Sequence, residues 1–127
     1  MAAYYLDTSV FLHWVAKEGG AVAWLDGLGR GEELFSSTLL RLEAIRSVRR
    51  AGTDPSGLEP YFARVALVDL DQPVLSRAES LPGSLRALDA IHLATAGEVP
   101  GAVMVSHDKR LKDAAAELGT PVLDPVA

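Results

Sequence analysis

Short apolar runs that alternate with helix-patterned segments constrain this chain more than any other feature. Ala3-Tyr4-Tyr5-Leu6 is an apolar, aromatic run ending at Asp7-Thr8-Ser9, and it reads as a buried strand followed by a polar turn and a helix start. Val10 to Ala16 is helical in pattern, Gly19-Gly20 breaks it, and Ala21 to Leu28 resumes it. Glu33 to Phe35 is a second strand, after which Ser36-Ser37-Thr38 offers capping hydroxyls for a helix through about Arg50, closed by Gly52. Asp54-Pro55-Ser56-Gly57 is a turn, Leu58 to Ala63 a short helix and Val65 to Val68 a third strand. Asp71 caps a helix from Gln72 to about Leu81, Pro82-Gly83 marks a loop, and Leu85 to Ala96 is strongly helical. Val103 to Val105 is a fourth strand, Asp108 to Leu118 a helix, and Val122-Leu123 a short final strand. This alternation predicts an α/β fold, with a central mostly parallel sheet of about five short strands flanked by helices on both faces. No internal repeat, low-complexity stretch or linker interrupts residues 1–127, which predicts one domain.

Composition narrows the function classes. A chain of 127 residues buries a real core without staples. It has no cysteine, which excludes a disulfide scaffold and a thiolate zinc site and makes a reducing cytoplasm the expected location. The opening segment through Asp7 lacks the basic start of a signal peptide, and no apolar run approaches the roughly 20 residues that span a bilayer. The net charge of −5 argues against nucleic acid if taken alone. Acids gathered at a cation site lower that sum without repelling a substrate once the cation is bound, so their distribution decides.

Four carboxylates stand out. Sites in open parallel sheets lie beyond the carboxyl ends of the strands. Asp7 follows the first strand, and Asp108 follows the fourth after Ser106-His107. On the helix after Ser37, a turn of about 100° per residue puts Glu43 on one face with Leu39, Arg46 and Arg50, close to an apolar Leu39/Leu42 edge. Asp89 is embedded among Leu85, Leu88, Ala90, Ile91, Leu93 and Ala94, where an ionised carboxylate costs several kcal/mol unless paired or bound to a cation. Converging acids of this kind suit a hard divalent cation, Mg2+ or Mn2+, with waters and substrate phosphate completing its shell. Without the cation their mutual repulsion should raise the pKa of one or more of them. Ser9 and Ser106 would support the cation's surroundings, and Arg46 and Arg50 would offer positive charge beside the acidic centre to a phosphate backbone.

Each acid also has an ordinary reading. Asp7 and Asp108 suit helix caps, Glu43 can pair with Arg46 or Arg50, and Asp89 can be neutralised by Arg86 one turn back. Placed on four separate elements, they carry more weight together than singly. His92, one turn after Asp89, reads as a hydrogen-bonded core residue. His107 lies in the loop before Asp108 and stands within reach of a substrate. Asp26, Glu32, Asp54, Asp113 and Asp124 read as surface or turn residues, and Trp14 and Trp24 as core or interface. There is no nucleophile elbow and no phosphate-cradling glycine loop.

The segments YYLDTSVFL, SSTLLRLEAIRSVRR, LRALDAIHLATA and VMVSHDKRLKDAAAELG resemble, in order and separation, the four blocks of PIN-domain nucleases. Within these they look like the VapC toxins of bacterial and archaeal toxin–antitoxin pairs. The resemblance covers Tyr4 to about Asp124 and implies a single PIN-like domain. It implies that Asp7, Glu43, Asp89 and Asp108 are an acidic quartet that binds magnesium or manganese. Ser106 matches a position usually held by Thr or Ser, and Arg86 a basic position three before the third acid. It further implies hydrolysis of RNA phosphodiesters, commonly in transfer or ribosomal RNA, to stop translation, together with a homodimer and inhibition by a VapB-like antitoxin.

Two other classes meet part of the pattern. A receiver-type phosphoacceptor domain needs an early pair of acids and an Asp ending a central strand, whereas Asp7 is single and Asp54 follows Ala51-Gly52-Thr53. A non-catalytic PIN-like module would bind RNA or protein without cutting, and the intact quartet speaks against it.

Overall fold

The computed structural model describes residues 2–126. Strand β1 (Ala3–Leu6) leads into helices α1 (Thr8–Val15) and α2 (Ala21–Asp26), then β2 (Glu33–Ser37) and the long α3 (Thr38–Arg50). A 3-10 turn (Pro55–Leu58) and α4 (Glu59–Phe62) precede β3 (Ala66–Val68). Helices α5 (Gln72–Glu79) and α6 (Ala87–Ala96), strand β4 (Val103–Val105), helix α7 (Lys109–Glu117) and β5 (Val122–Leu123) complete the chain. The strands form one sheet in the order β3-β2-β1-β4-β5, and every neighbouring pair is parallel.

Alternation along the strands divides the core in two. Leu6 and Val105, opposite each other in the ladder, pack with Val10, Phe11, Trp14, Leu25, Leu40, Ala44, Leu58 and Phe62 from α1 to α4. Tyr5, Phe35 and Met104 point the other way, onto Leu93 and Ala96 of α6 and Leu111, Ala114 and Ala115 of α7. Helices before β3 therefore cover one face and helices after it the other. That accounts for strands reading as continuous apolar runs.

The caps follow the local chemistry. Ser37 accepts a hydrogen bond from the Leu39 amide at 3.0 Å, Asp71 from Val74 at 3.2 Å, and Asp54 from Ser56 at 3.0 Å. Several expected boundaries shift: α1 begins at Thr8 rather than Val10, α2 ends at Asp26 rather than Leu28, and β2 runs on from Phe35 through Ser37. The segment read as a helix over 58–63 divides into the 3-10 turn and α4. Helix α5 ends at Glu79, two residues early. Helix α6 begins at Ala87 rather than Leu85, because Arg86 is extended (φ −72°, ψ 152°) and serves as its N-cap. At the Gly19-Gly20 break, a Cβ on Gly20 would lie 2.1 Å from the Pro125 carbonyl oxygen, so close approach of the C-terminal segment demands glycine there.

Candidate active site

Strand order reverses beside β1. From there the chain steps outward to β2 and β3, then returns to place β4 on β1's other edge. Connections leaving the carboxyl ends of β1 and β4 go to opposite faces and open a crevice between them, the usual ligand position in such sheets. A pocket of about 280 Å³ lies there. Asp7, Thr8, Ser9, Glu43, Arg86, Ala87, Leu88, Asp89, His92 and Asp108 line it. All four predicted acids are thus brought together from β1, α3, α6 and the end of β4.

Asp7 is buried and tightly held. Its Oδ1 accepts from the Thr8 amide at 2.7 Å, which caps α1. Its Oδ2 accepts from the hydroxyls of Ser9 at 2.7 Å and Ser106 at 2.8 Å. Both hydroxyls are pinned in turn, since Ser9 Oγ accepts from the His107 amide and Ser106 Oγ from the Asp108 amide, each at 3.0 Å. Ser9 and Ser106, read as supports of the cation's surroundings, thus stand directly against Asp7 Oδ2. Asp108 caps α7 through Oδ1, which accepts from the Arg110 and Leu111 amides at 2.9 and 3.3 Å. For Asp7 and Asp108 the cap and the pocket are one placement, not rival readings.

Asp89 is 6% exposed, and its Oδ2 has no hydrogen-bond partner among the described residues. The Arg86 Nε lies 3.6 Å away on a side chain 61% exposed, so the pair expected from the sequence exists but is loose and wet. The apolar surroundings are thinner than the sequence implied. Leu88, one residue before Asp89, is 49% exposed at the pocket, and Leu42 beside Glu43 is 58% exposed. Leu42 therefore forms no apolar edge for Glu43. A helical position flanked by apolar residues can still face out when the helix covers the sheet with its other side.

Glu43 Oε1 accepts from the Thr8 hydroxyl at 2.7 Å and lies 2.8 Å from His92 Nε2. His92 is a buried hydrogen-bonded residue, as read, but its partners are the Glu43 carboxylate and, at 2.6 Å through Nδ1, the Tyr5 hydroxyl. It also lies 3.7 Å from Asp7 Oδ1. Burial opposes charge on both Glu43 and His92. For Glu43 the hydrogen bonds from His92 and Thr8 and the imidazole charge outweigh burial and hold its pKa below the ordinary value, whereas for His92 the hydrogen bond to Glu43 and the charges of Asp7, Glu43 and Asp89 outweigh it and hold its pKa above. The raised carboxyl pKa expected from crowding is thus not found at Glu43, because His92 and Thr8 compensate its charge. Burial pushes the Tyr5 hydroxyl far upward, so it stays protonated.

Sequence reasoning did not single out Thr8, Tyr5 or the His92–Glu43 contact. A threonine after a strand-ending Asp was a visible signal for the first. The others depend on α6 meeting β1 and α3 across many intervening residues. Arg86 lines the pocket, whereas Arg46 and Arg50 are exposed on α3 and do not. His107 turns to Asp124, at 3.0 Å, and is not among the lining residues. Asp124 is more than a turn residue: it also pairs with Lys112 at 2.6 Å and accepts from the Val126 amide. Trp14 is core, as read, and Trp24 is partly buried against it.

The four acids form an all-oxygen donor set of the kind that hard divalent cations take. The orphaned Asp89 oxygen beside a buried Asp7 is what such a cation would satisfy. Among the described residues no three such side chains are arranged to hold one as they stand. Glu43 is drawn onto His92 and Thr8, and Asp108 onto the first turn of α7.

A sequence model of the PIN domain matches residues 4–117. The chain is similar to Ribonuclease VapC35 of Mycobacterium tuberculosis (strain ATCC 25618 / H37Rv), 37% identical over 131 residues that cover 95% of this chain and 96% of that protein. It is similar to Ribonuclease VapC47 of Mycobacterium tuberculosis (strain CDC 1551 / Oshkosh), 36% identical over 135 residues covering 97% of each. The solved structure of VapBC2 from Rickettsia felis, bound to a DNA fragment from their promoter, superposes with a TM-score of 0.77 at 14% identity, covering 96% of this chain and 98% of that one. At that identity the likeness speaks to the fold alone.

Proposed function

The chain belongs to the PIN-domain family, and from that premise we propose that it is a divalent-metal-dependent endoribonuclease, the toxin of a VapBC-type pair. The observation that carries the reading is the convergence of Asp7, Glu43, Asp89 and Asp108 on one pocket at the sheet's switch point. Residues 1–127 act as one domain. The substrate is RNA, transfer or ribosomal, whose cleavage stops translation in the cytoplasm. Among the described residues no helix is long and apolar enough to cross a membrane. A VapB-like antitoxin inhibits the enzyme, which works as a homodimer. The Ribonuclease VapC names of the relatives at 36–37% identity support both the activity and the VapBC-type pairing.

Asp7, Asp89 and Asp108, with Glu43, would hold Mg2+ or Mn2+. When bound, the cation supplies Lewis acidity and lowers the pKa of a water for attack on a phosphodiester. The chain's own groups prepare that site. Ser9 and Ser106 keep Asp7 Oδ2 in one orientation, and the Thr8 amide keeps Oδ1. Arg86, exposed at the rim, is placed to bind a phosphate oxygen of the RNA. Purified protein should cut RNA with Mg2+ or Mn2+ and stop when EDTA is added. Undiminished cutting in excess EDTA would reject metal dependence.

Arg46 and Arg50 lie about one and two turns beyond Glu43 on α3, on the solvent side. If the RNA backbone runs along that face, replacing both with Ala should weaken RNA binding and flatten its dependence on salt, because fewer counterions are released. Binding measured across a salt series checks this, and an unchanged slope removes both residues from the substrate path.

A further inference from the structure

We propose that His92 is a positioning residue that, with Thr8, occupies one oxygen of Glu43 so that only the other is free to act in the pocket. The proposal rests on the ribonuclease reading above and assigns how Glu43 contributes to it. Oε1 receives both the Thr8 hydroxyl at 2.7 Å and His92 Nε2 at 2.8 Å, while Oε2 takes part in no hydrogen bond among the described residues. A carboxylate held this way cannot rotate to offer both oxygens, and it meets the reacting centre through Oε2.

The donor itself is fixed from behind. His92 lies three residues after Asp89 on α6, so one helix face delivers both to the pocket. Its Nδ1 is tied to the Tyr5 hydroxyl on β1 at 2.6 Å, and the two rings meet edge to face at 5.7 Å. With Tyr5 donating to Nδ1, the neutral ring carries its proton on Nε2, and the charged ring carries one there too. Nε2–H donates to Glu43 in either state. A buried histidine serving packing alone has no need to spend its one pocket-facing proton on the most exposed of the bonds it makes. The chain β1–Tyr5–His92–Glu43 thus transmits the register of the central strand to a carboxylate on α3.

The test compares His92→Leu with His92→Gln, whose amide nitrogen reaches the position of Nε2, in the wild-type and Glu43→Ala backgrounds. Rates are taken per folded molecule with saturating Mn2+. His92→Leu should lower kcat roughly 10- to 100-fold, the scale for lost groups that orient a metal site's acids, with KM for RNA little changed. His92→Gln should recover most of the loss. In the Glu43→Ala background His92→Leu should change the residual rate by less than about 2-fold, because a residue acting through Glu43 has nothing left to act on. Crystals of metal-free His92→Leu should show Glu43 off the Thr8 hydroxyl, and those of His92→Gln should show it in place. If His92→Leu does not fold, His92→Phe, which keeps a ring against Tyr5, replaces it. Equal losses in both backgrounds, or a Glu43 unmoved in the variant crystals, would overturn the proposal while leaving the ribonuclease reading intact. A wild-type protein that cuts no RNA would overturn that reading and this one with it.

Discussion

Asp89→Asn should abolish RNA cleavage while leaving the metal-free protein as stable as before, or more so. The substitution keeps shape and removes charge. Activity should fall by roughly 100-fold or more, the scale of lost electrostatic stabilisation at a reacting centre. Stability moves the other way because this charge is poorly compensated: among the described residues Oδ2 is buried without a hydrogen bond, its ion-pair partner Arg86 sits 3.6 Å away on a largely solvated side chain, and His92 acts on it through charge alone. A pair of that kind contributes about 0–1 kcal/mol. The Asp in the first turn of α6 contributes about 0.3–1 kcal/mol through the helix dipole. Against these stands the several-kcal/mol cost of an uncompensated buried charge, with Asp7, Glu43 and Asp108 lining the same pocket. The cost is larger, so its removal decides the sign. Thermal melts in EDTA, taken with cleavage rates per folded molecule, check both halves. A large fall in melting temperature with a normal rate per folded molecule would show that Asp89 is a structural ion-pair partner of Arg86.

The acids could be picked out from the sequence because each stands at a local signature. Asp7 and Asp108 end apolar runs, and Asp89 interrupts an apolar helix. The strands were legible for the same reason: a parallel sheet buried on both faces writes short unbroken runs such as Tyr4-Tyr5-Leu6 and Val103-Met104-Val105. What was not legible depends on how the helices sit on that sheet. Periodicity placed Leu42 and Leu88 in apolar company, yet each faces solvent, because only the meeting of α3 and α6 with their own sheet faces sets which side is buried. The His92–Glu43 contact spans 49 positions and Tyr5–His92 spans 87, so no local spacing encodes either. The same long-range pairing reverses an expectation of local charge counting. Crowded acids should raise a carboxyl pKa, but a histidine from another helix lowers that of Glu43 instead.

Asp7→Asn should also stop cleavage, by a similar factor, yet destabilise the metal-free fold where Asp89→Asn does not. Both are buried carboxylates in one pocket, and the difference lies in their hydrogen bonds. Asp7 accepts three, from the Thr8 amide and the Ser9 and Ser106 hydroxyls. Asn caps helices as well as Asp does, so an Asn oxygen at the Oδ1 position keeps the α1 cap. Its amide NH2 then faces two hydroxyls whose oxygens already accept from the His107 and Asp108 amides. Those hydroxyl protons, which pointed at Oδ2, lose their acceptor, and Ser106 is fully buried, so water does not replace it. Stranding a buried donor costs about 1–3 kcal/mol, and the opposite amide flip only moves the loss to the Thr8 amide and the α1 cap. The melting temperature without metal should therefore fall by several degrees. Ser106→Ala in the Asp7→Asn background should return part of that loss, since it removes the stranded hydroxyl, whereas in the wild-type background it should destabilise by taking a donor from Asp7. Melting all four proteins in EDTA closes the cycle. Equal effects of Ser106→Ala in the two backgrounds would mean that the Ser106–Asp7 hydrogen bond does not set the stability of this corner of the fold.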